Sequence, residues 1–118
     1  MLRLFGLGAN VDVVCDGPKA EVLTELMSNA WSRCIVDAPV AGTPTAEPVH
    51  VVGDEDAEAL APLLMRTTQL ITHALIAAQA GHLLMLHAGA VCDPDTGNSL
   101  IFVAPGGTGK TTLSRRLG

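Results

Sequence analysis

Gly106, Gly107 and Gly109 crowd into four positions and run directly into Lys110 and Thr111. No other stretch of the 118 residues limits the fold as much. Glycine has no Cβ, so a chain this rich in it can curl until consecutive backbone N–H groups point at one spot, and an anion fits there. The segment Ala104-Pro105-Gly106-Gly107-Thr108-Gly109-Lys110-Thr111-Thr112 fits the phosphate-binding loop pattern, with Ala104 where the first glycine usually stands. That pattern requires a strand before it and a helix after it. Leu100 to Val103 reads as the strand and Thr111 to Leu117 as the helix. A glycine-rich turn with an incidental lysine is the competing reading, and these flanks argue against it.

The residue types fit the chemistry of a nucleoside triphosphate. Pro105, Gly106, Gly107, Thr108 and Gly109 supply the backbone cradle. Lys110 adds a mobile positive charge for the β- and γ-oxygens, and the Thr111 hydroxyl is the expected magnesium ligand. Thr112 is the last of the nucleotide-binding candidates, with a place in the helix's first turn as the competing reading. The dipole of that helix favours the same anion.

Upstream, Leu2 to Val14 alternates loosely and predicts a strand, or a strand pair bent at Gly6 and Gly8. Asp16-Gly17-Pro18 breaks it, and Pro18 suits a first helical position. Val22, Leu23, Leu26, Ala30 and Trp31 then recur at helical spacing. Residues 37–48 hold three prolines and a glycine and read as a loop or linker. Val49 to Gly53 is a short strand, followed by the acidic run Asp54-Glu55-Asp56 and Glu58 where a helix start would favour it. Leu60, Leu63, Leu64, Thr67, Leu70, Ile71, Ala74, Leu75 and Ala78 trace one stripe, with Pro62 in the first turn and Gly81 as the stop. This predicts a helix of about 20 residues. Leu83 to Val91 and Ser99 to Val103 read as strands joined by the turn formers Asp93 to Asn98, an antiparallel hairpin.

Charge and cysteine use narrow the partners. The 7 Lys+Arg against 12 Asp+Glu give a net charge of −5, which argues against a protein that grips nucleic-acid backbones. Lys110, Arg115 and Arg116 all lie in residues 110–118, so the earlier residues carry 4 basic against all 12 acidic side chains. That local positive end suits an anionic ligand. Cys15, Cys34 and Cys92 are odd in number and widely spaced, so a disulfide framework is not indicated and a reducing cytoplasm is expected. The apolar runs are too short for a membrane span. His50, His73, His82 and His87 lack metal-site spacing, and Cys92 reads as a small buried residue. Asp93 and Asp95 read as turn residues.

Leu86-His87-Ala88-Gly89-Ala90-Val91, a short turn, and then Leu100 through Leu113 resemble the core of HPr serine kinase-like proteins. These group with phosphoenolpyruvate carboxykinases, and the hairpin feeding the loop is the discriminating feature. The resemblance spans roughly residues 83–117. The strand and helix patterns of residues 1–82 give a small N-terminal α/β region of unassigned role, and the resemblance implies that the hairpin, P-loop and helix of residues 83–118 begin the nucleotide-binding core of an α/β fold. It also implies ATP and Mg2+ as cofactors and transfer of the γ-phosphoryl group to a protein or peptide serine. In such enzymes a histidine at the position of His87 lies near the transferred phosphate, which makes His87 a catalytic candidate beside Lys110. By its residues alone, a histidine on an apolar strand is also a structural group. The family's acidic residues that hold magnesium and deprotonate the serine follow the P-loop helix. They are therefore expected beyond Gly118, and the 118-residue chain by itself is expected to be inactive. A small-molecule kinase or ATPase with the same loop is an alternative, as is a non-catalytic nucleotide-binding or partner-docking module. A homo-oligomer is left open.

Overall fold

The computed structural model describes residues 1–53 and 60–117. The acidic run at residues 54–58 lies outside them. Among the described residues the chain is mixed α/β, with three helices and two small sheets. It divides into two compact units, Met1–Leu83 and Leu84–Gly118.

In the first unit, strands β1 (Leu2–Gly6) and β2 (Ala9–Asp16) form an antiparallel hairpin. Leu7 and Gly8 connect them with φ of 51° and 76°. Two successive positive φ values give the connection the twist that a two-residue hairpin needs, and Gly8 adopts its value without strain. Strand β3 (Val49–Val52) runs parallel to β2, giving the order β1-β2-β3. A parallel neighbour needs a crossover, and residues 17–48 provide it.

Register sets the buried face. Leu2 lies opposite Val13 and Leu4 opposite Val11, and all four are buried. Val49 and Val51 extend this apolar layer onto β3. Helix α1 (Ala20–Ala30) adds Leu23 and Met27, and helix α2 (Leu60–Ala78) adds Ile71 and Leu75. Fully burying one such side chain stabilises the fold by about 1.5–3 kcal/mol. The buried stripe of α1 differs from the expected one, because Val22 is exposed while Met27 is enclosed. The helix begins at Ala20, two residues after Pro18, following a turn closed by Ala20 N–H donating to Gly17 O at 3.0 Å. On α2, Pro62 does fall in the first turn and Leu70 is exposed, while Gly81 follows the helix with φ of 80°. No helix among the described residues is long and apolar enough to cross a membrane.

In the second unit, strands β4 (Ala88–Cys92) and β5 (Ser99–Val103) pair antiparallel, and helix α3 (Lys110–Leu117) packs on β4. The expected strand from Leu83 is shorter, beginning at Ala88. The ladder explains this: Ala88 pairs with Val103, and the next residues on that side, Ala104 and Pro105, leave the strand. Pro105 has no N–H to offer, so residues 83–87 have no partner with which to extend the pairing.

Candidate functional site

The glycine loop occupies residues 104–109, between the end of β5 and the start of α3. Gly107 and Gly109 have φ of 78° and 87°, the left-handed region that favours glycine. A Cβ added at Gly106 would meet nothing within 4 Å, and Gly106 has no positive φ. Its own fold therefore does not require glycine there. Close approach of a ligand to the backbone is a physical reason that remains.

Lys110 is the first residue of α3, and its side chain reaches back across the loop. Its Nζ donates to Ala104 O at 2.6 Å and to Pro105 O at 3.0 Å. An ammonium has three donors, so one remains for an incoming oxygen. Thr108 Oγ1 also donates to Pro105 O, at 2.8 Å, which draws the loop into a closed curve. Leu113 N–H donates to Gly109 O at 2.9 Å, so the loop runs into the helix with no break. The lysine's carbonyl partners could not be read from the sequence, since every residue carries a carbonyl and only the curvature of the loop selects these two.

Two threonines follow the lysine at the start of α3. Thr111 is exposed in the first turn of α3, beside Lys110, and its hydroxyl is engaged in no hydrogen bond among the described residues. No cluster of three or more His, Cys, Asp or Glu side chains among the described residues could hold a metal ion. A magnesium ion here would take Thr111 and complete its shell with phosphate oxygens and water, as is common for this ion. Thr112 follows on the same turn and is exposed.

His87 stands one residue before β4 and is exposed, outside the strand on which it was expected. Because Ala88 is opposite Val103, His87 and Ala104 leave the ladder at the same end. The hairpin thus brings His87 and the loop to one end of the sheet. At the opposite end, Asp93 accepts from Asp95 N–H at 2.9 Å and Thr96 Oγ1 at 2.8 Å. The Thr96 hydroxyl, then the Asp95 amide, hold the Asp93 carboxyl below the usual aspartate range. Cys92 is exposed rather than buried, because it ends β4 where the chain enters this turn.

The chain matches no protein-family model, no curated protein and no solved structure at a significant level.

Proposed function

We propose that residues 84–117 bind the phosphate groups of a nucleoside triphosphate, which would place the chain among P-loop nucleotide-binding proteins. The observation that carries this reading is the strand–loop–helix course with left-handed Gly107 and Gly109 and with Lys110 folded over the loop. Within that class, the particular reading is that the chain forms part of an HPr serine kinase-like enzyme of the cytoplasm, with ATP as donor and a protein or peptide serine as acceptor. It rests on the resemblance of residues 83–117 and on the hairpin that leads into the loop.

In this reading the backbone N–H groups of residues 106–110 orient the β-phosphate, and the third donor of Lys110 turns to the β- and γ-oxygens. Thr111 offers its hydroxyl to magnesium, which when bound neutralises charge on the same oxygens. His87, at the loop's end of the hairpin, is the candidate nearest the transferred group. Catalysis by these residues is positioning and charge neutralisation.

Calorimetric titration of the chain with ATP and magnesium tests the reading, with Lys110→Ala as the paired variant. A loss of at least tenfold in affinity, about 1.4 kcal/mol, is expected for the variant. AMP, which lacks the β-phosphate, should bind far more weakly than ATP. Equal binding of ATP by both proteins would sink the proposal. A second reading, a non-catalytic nucleotide-binding or partner-docking module, draws on the exposure of Leu100, Ile101 and Val103 on β5. It shares with the first reading the expectation that these 118 residues alone bind nucleotide without phosphoryl transfer, and differs in needing no acceptor serine.

A further inference from the structure

We propose that the first unit carries a site for a small organic anion, a carboxylate on an apolar body, in the groove beside Trp31. The site shares no residue with the glycine loop and does not depend on the reading of that loop. The groove has a volume of about 440 Å³ and is lined by Ala30, Trp31, Ser32, Arg33, Cys34 and Thr68. That volume is within the range of small-molecule pockets, which combine an apolar lining with a few placed polar groups.

Its walls are fixed by backbone hydrogen bonds. Trp31 N–H donates to Met27 O at 2.9 Å as α1 ends, and Cys34 N–H donates to Trp31 O at 2.8 Å, closing a tight turn. Phe5 N–H then donates to Cys34 O at 2.7 Å, tying the turn to β1. Thr68 comes from α2, next to Thr67, which is buried, so its position is set by the core. Trp31 and Cys34 are themselves packed against that core. The backbone around the groove is therefore preformed, and the exposed side chains of Ser32 and Arg33 are what a ligand orders on binding.

The polar groups select the sign of the ligand. Arg33 is exposed and has no ion pair among the described residues, whereas Arg3 is taken by Asp12 at 2.8 Å. No lining residue is acidic. On α2, Thr67 and Thr72 return their hydroxyls to the carbonyls of Leu63 and Thr68. The hydroxyls of Thr68 and Ser32 make no such bond among the described residues, and both line the groove. Arg33, Ser32 and Thr68 line the same groove as Trp31, and a guanidinium and hydroxyls suit a carboxylate while an indole suits a hydrocarbon tail. Residues 1–83 carry 4 Lys+Arg against 10 Asp+Glu, so anions will not gather on this unit unspecifically.

Trp31 is the chain's only tryptophan, so its emission reports on the groove directly. The test titrates the full chain with hexanoate, which does not absorb where tryptophan is excited, and with hexanamide and hexylammonium as neutral and cationic counterparts. Amide chemical shifts provide a second readout. Hexanoate is expected to change the emission saturably and to move the amides of Ser32 to Cys34 and of Thr68. Hexanamide should bind roughly tenfold more weakly, the size of one lost charge-assisted hydrogen bond. Arg33→Gln should lose a similar factor while its unliganded amide spectrum stays native away from the site, and Arg33→Lys should keep part of the affinity. Equal binding of hexanoate and hexanamide, preference for hexylammonium, an unaffected Arg33→Gln variant, or no saturable response in either readout would each overturn the proposal.

Discussion

Asn10 holds a proline-rich loop to a sheet with one side chain. It is buried, and its Nδ2 donates to Val40 O at 3.1 Å and to Thr43 Oγ1 at 2.8 Å, while its Oδ1 accepts from Val40 N–H at 2.8 Å. Its backbone donates to Pro44 O at 2.8 Å and accepts from Ala46 N–H at 2.7 Å. Every side-chain bond joins β2 to residues far along the chain, so the loop at 37–48 has a fixed path without regular structure. Asn10→Ala removes the partner of Val40 N–H, while Val40 O keeps the Thr43 hydroxyl at 2.7 Å, and a loss of about 1–2 kcal/mol is expected in urea denaturation. An unchanged midpoint would show that the loop holds without this residue. Gly89 acts through space instead. It lies opposite Phe102, and a Cβ there would run into the Phe102 ring. Gly89→Ala must displace the ring, at a cost of about 1–3 kcal/mol. Phe102 is two residues from the loop's first residue, so the variant should also bind ATP with magnesium more weakly than the native chain. Native affinity in Gly89→Ala would show that the loop is insulated from its strand.

The elements differ in how far the sequence foretells them. Helix α2 was legible because its apolar residues repeat over five turns, enough for Ile71, Leu75 and Thr67 to fall on one line. The first hairpin was legible because Gly8 marks a turn and the flanking residues alternate. The parallel pairing of β2 with β3 was not, since alternation states which face is buried and says nothing about the neighbour. Residues 83–87 are as apolar as a strand but remain unpaired, because pairing depends on a partner strand that ends at Val103. The loop residues of the candidate site were legible as a motif, whereas the groove at Trp31 was not, since its residues come together only when α2 passes the end of α1. The turn between β4 and β5 carries its own test. Hydrogen bonds from Thr96 and from the Asp95 amide favour the charged form of Asp93 and hold its folded pKa below the ordinary value. Their contribution to the turn is therefore present above the ordinary aspartate pKa and is lost as pH falls through the lowered one. Carboxyl NMR of Asp93 should show a depressed midpoint that moves up in Thr96→Val. A midpoint unmoved by that change would mean that the Thr96 hydroxyl is not the main cause.

Over the whole molecule, burial is divided unequally between the two units. The apolar cluster of buried side chains is drawn entirely from Met1–Leu83. In Leu84–Gly118 no large apolar side chain among the described residues is buried, Phe102 is half-buried, and Leu84 at 89%, Val103 at 64% and Leu100 at 59% exposure stay open to solvent. A two-stranded hairpin is marginal without a third strand or a well-packed helix, and α3 contributes no buried residue. Local opening of β4, β5 and the glycine loop should therefore need far less free energy than opening of β1 and β2. A ligand that binds only the closed loop shifts this balance by mass action, by about 2.7 kcal/mol at a hundred times its dissociation constant. Amide hydrogen exchange should show strong protection at Leu4, Val11 and Val13 and little at Leu100 to Val103 in the absence of nucleotide. Saturating ATP with magnesium should slow exchange across β5 and the start of α3 by up to about a hundredfold, and at the same ATP concentration Lys110→Ala should cut that gain by about tenfold or more. Strong protection of β5 without nucleotide would contradict the burial argument. Protection that rises equally in Lys110→Ala would remove the loop from the account of how the nucleotide is held.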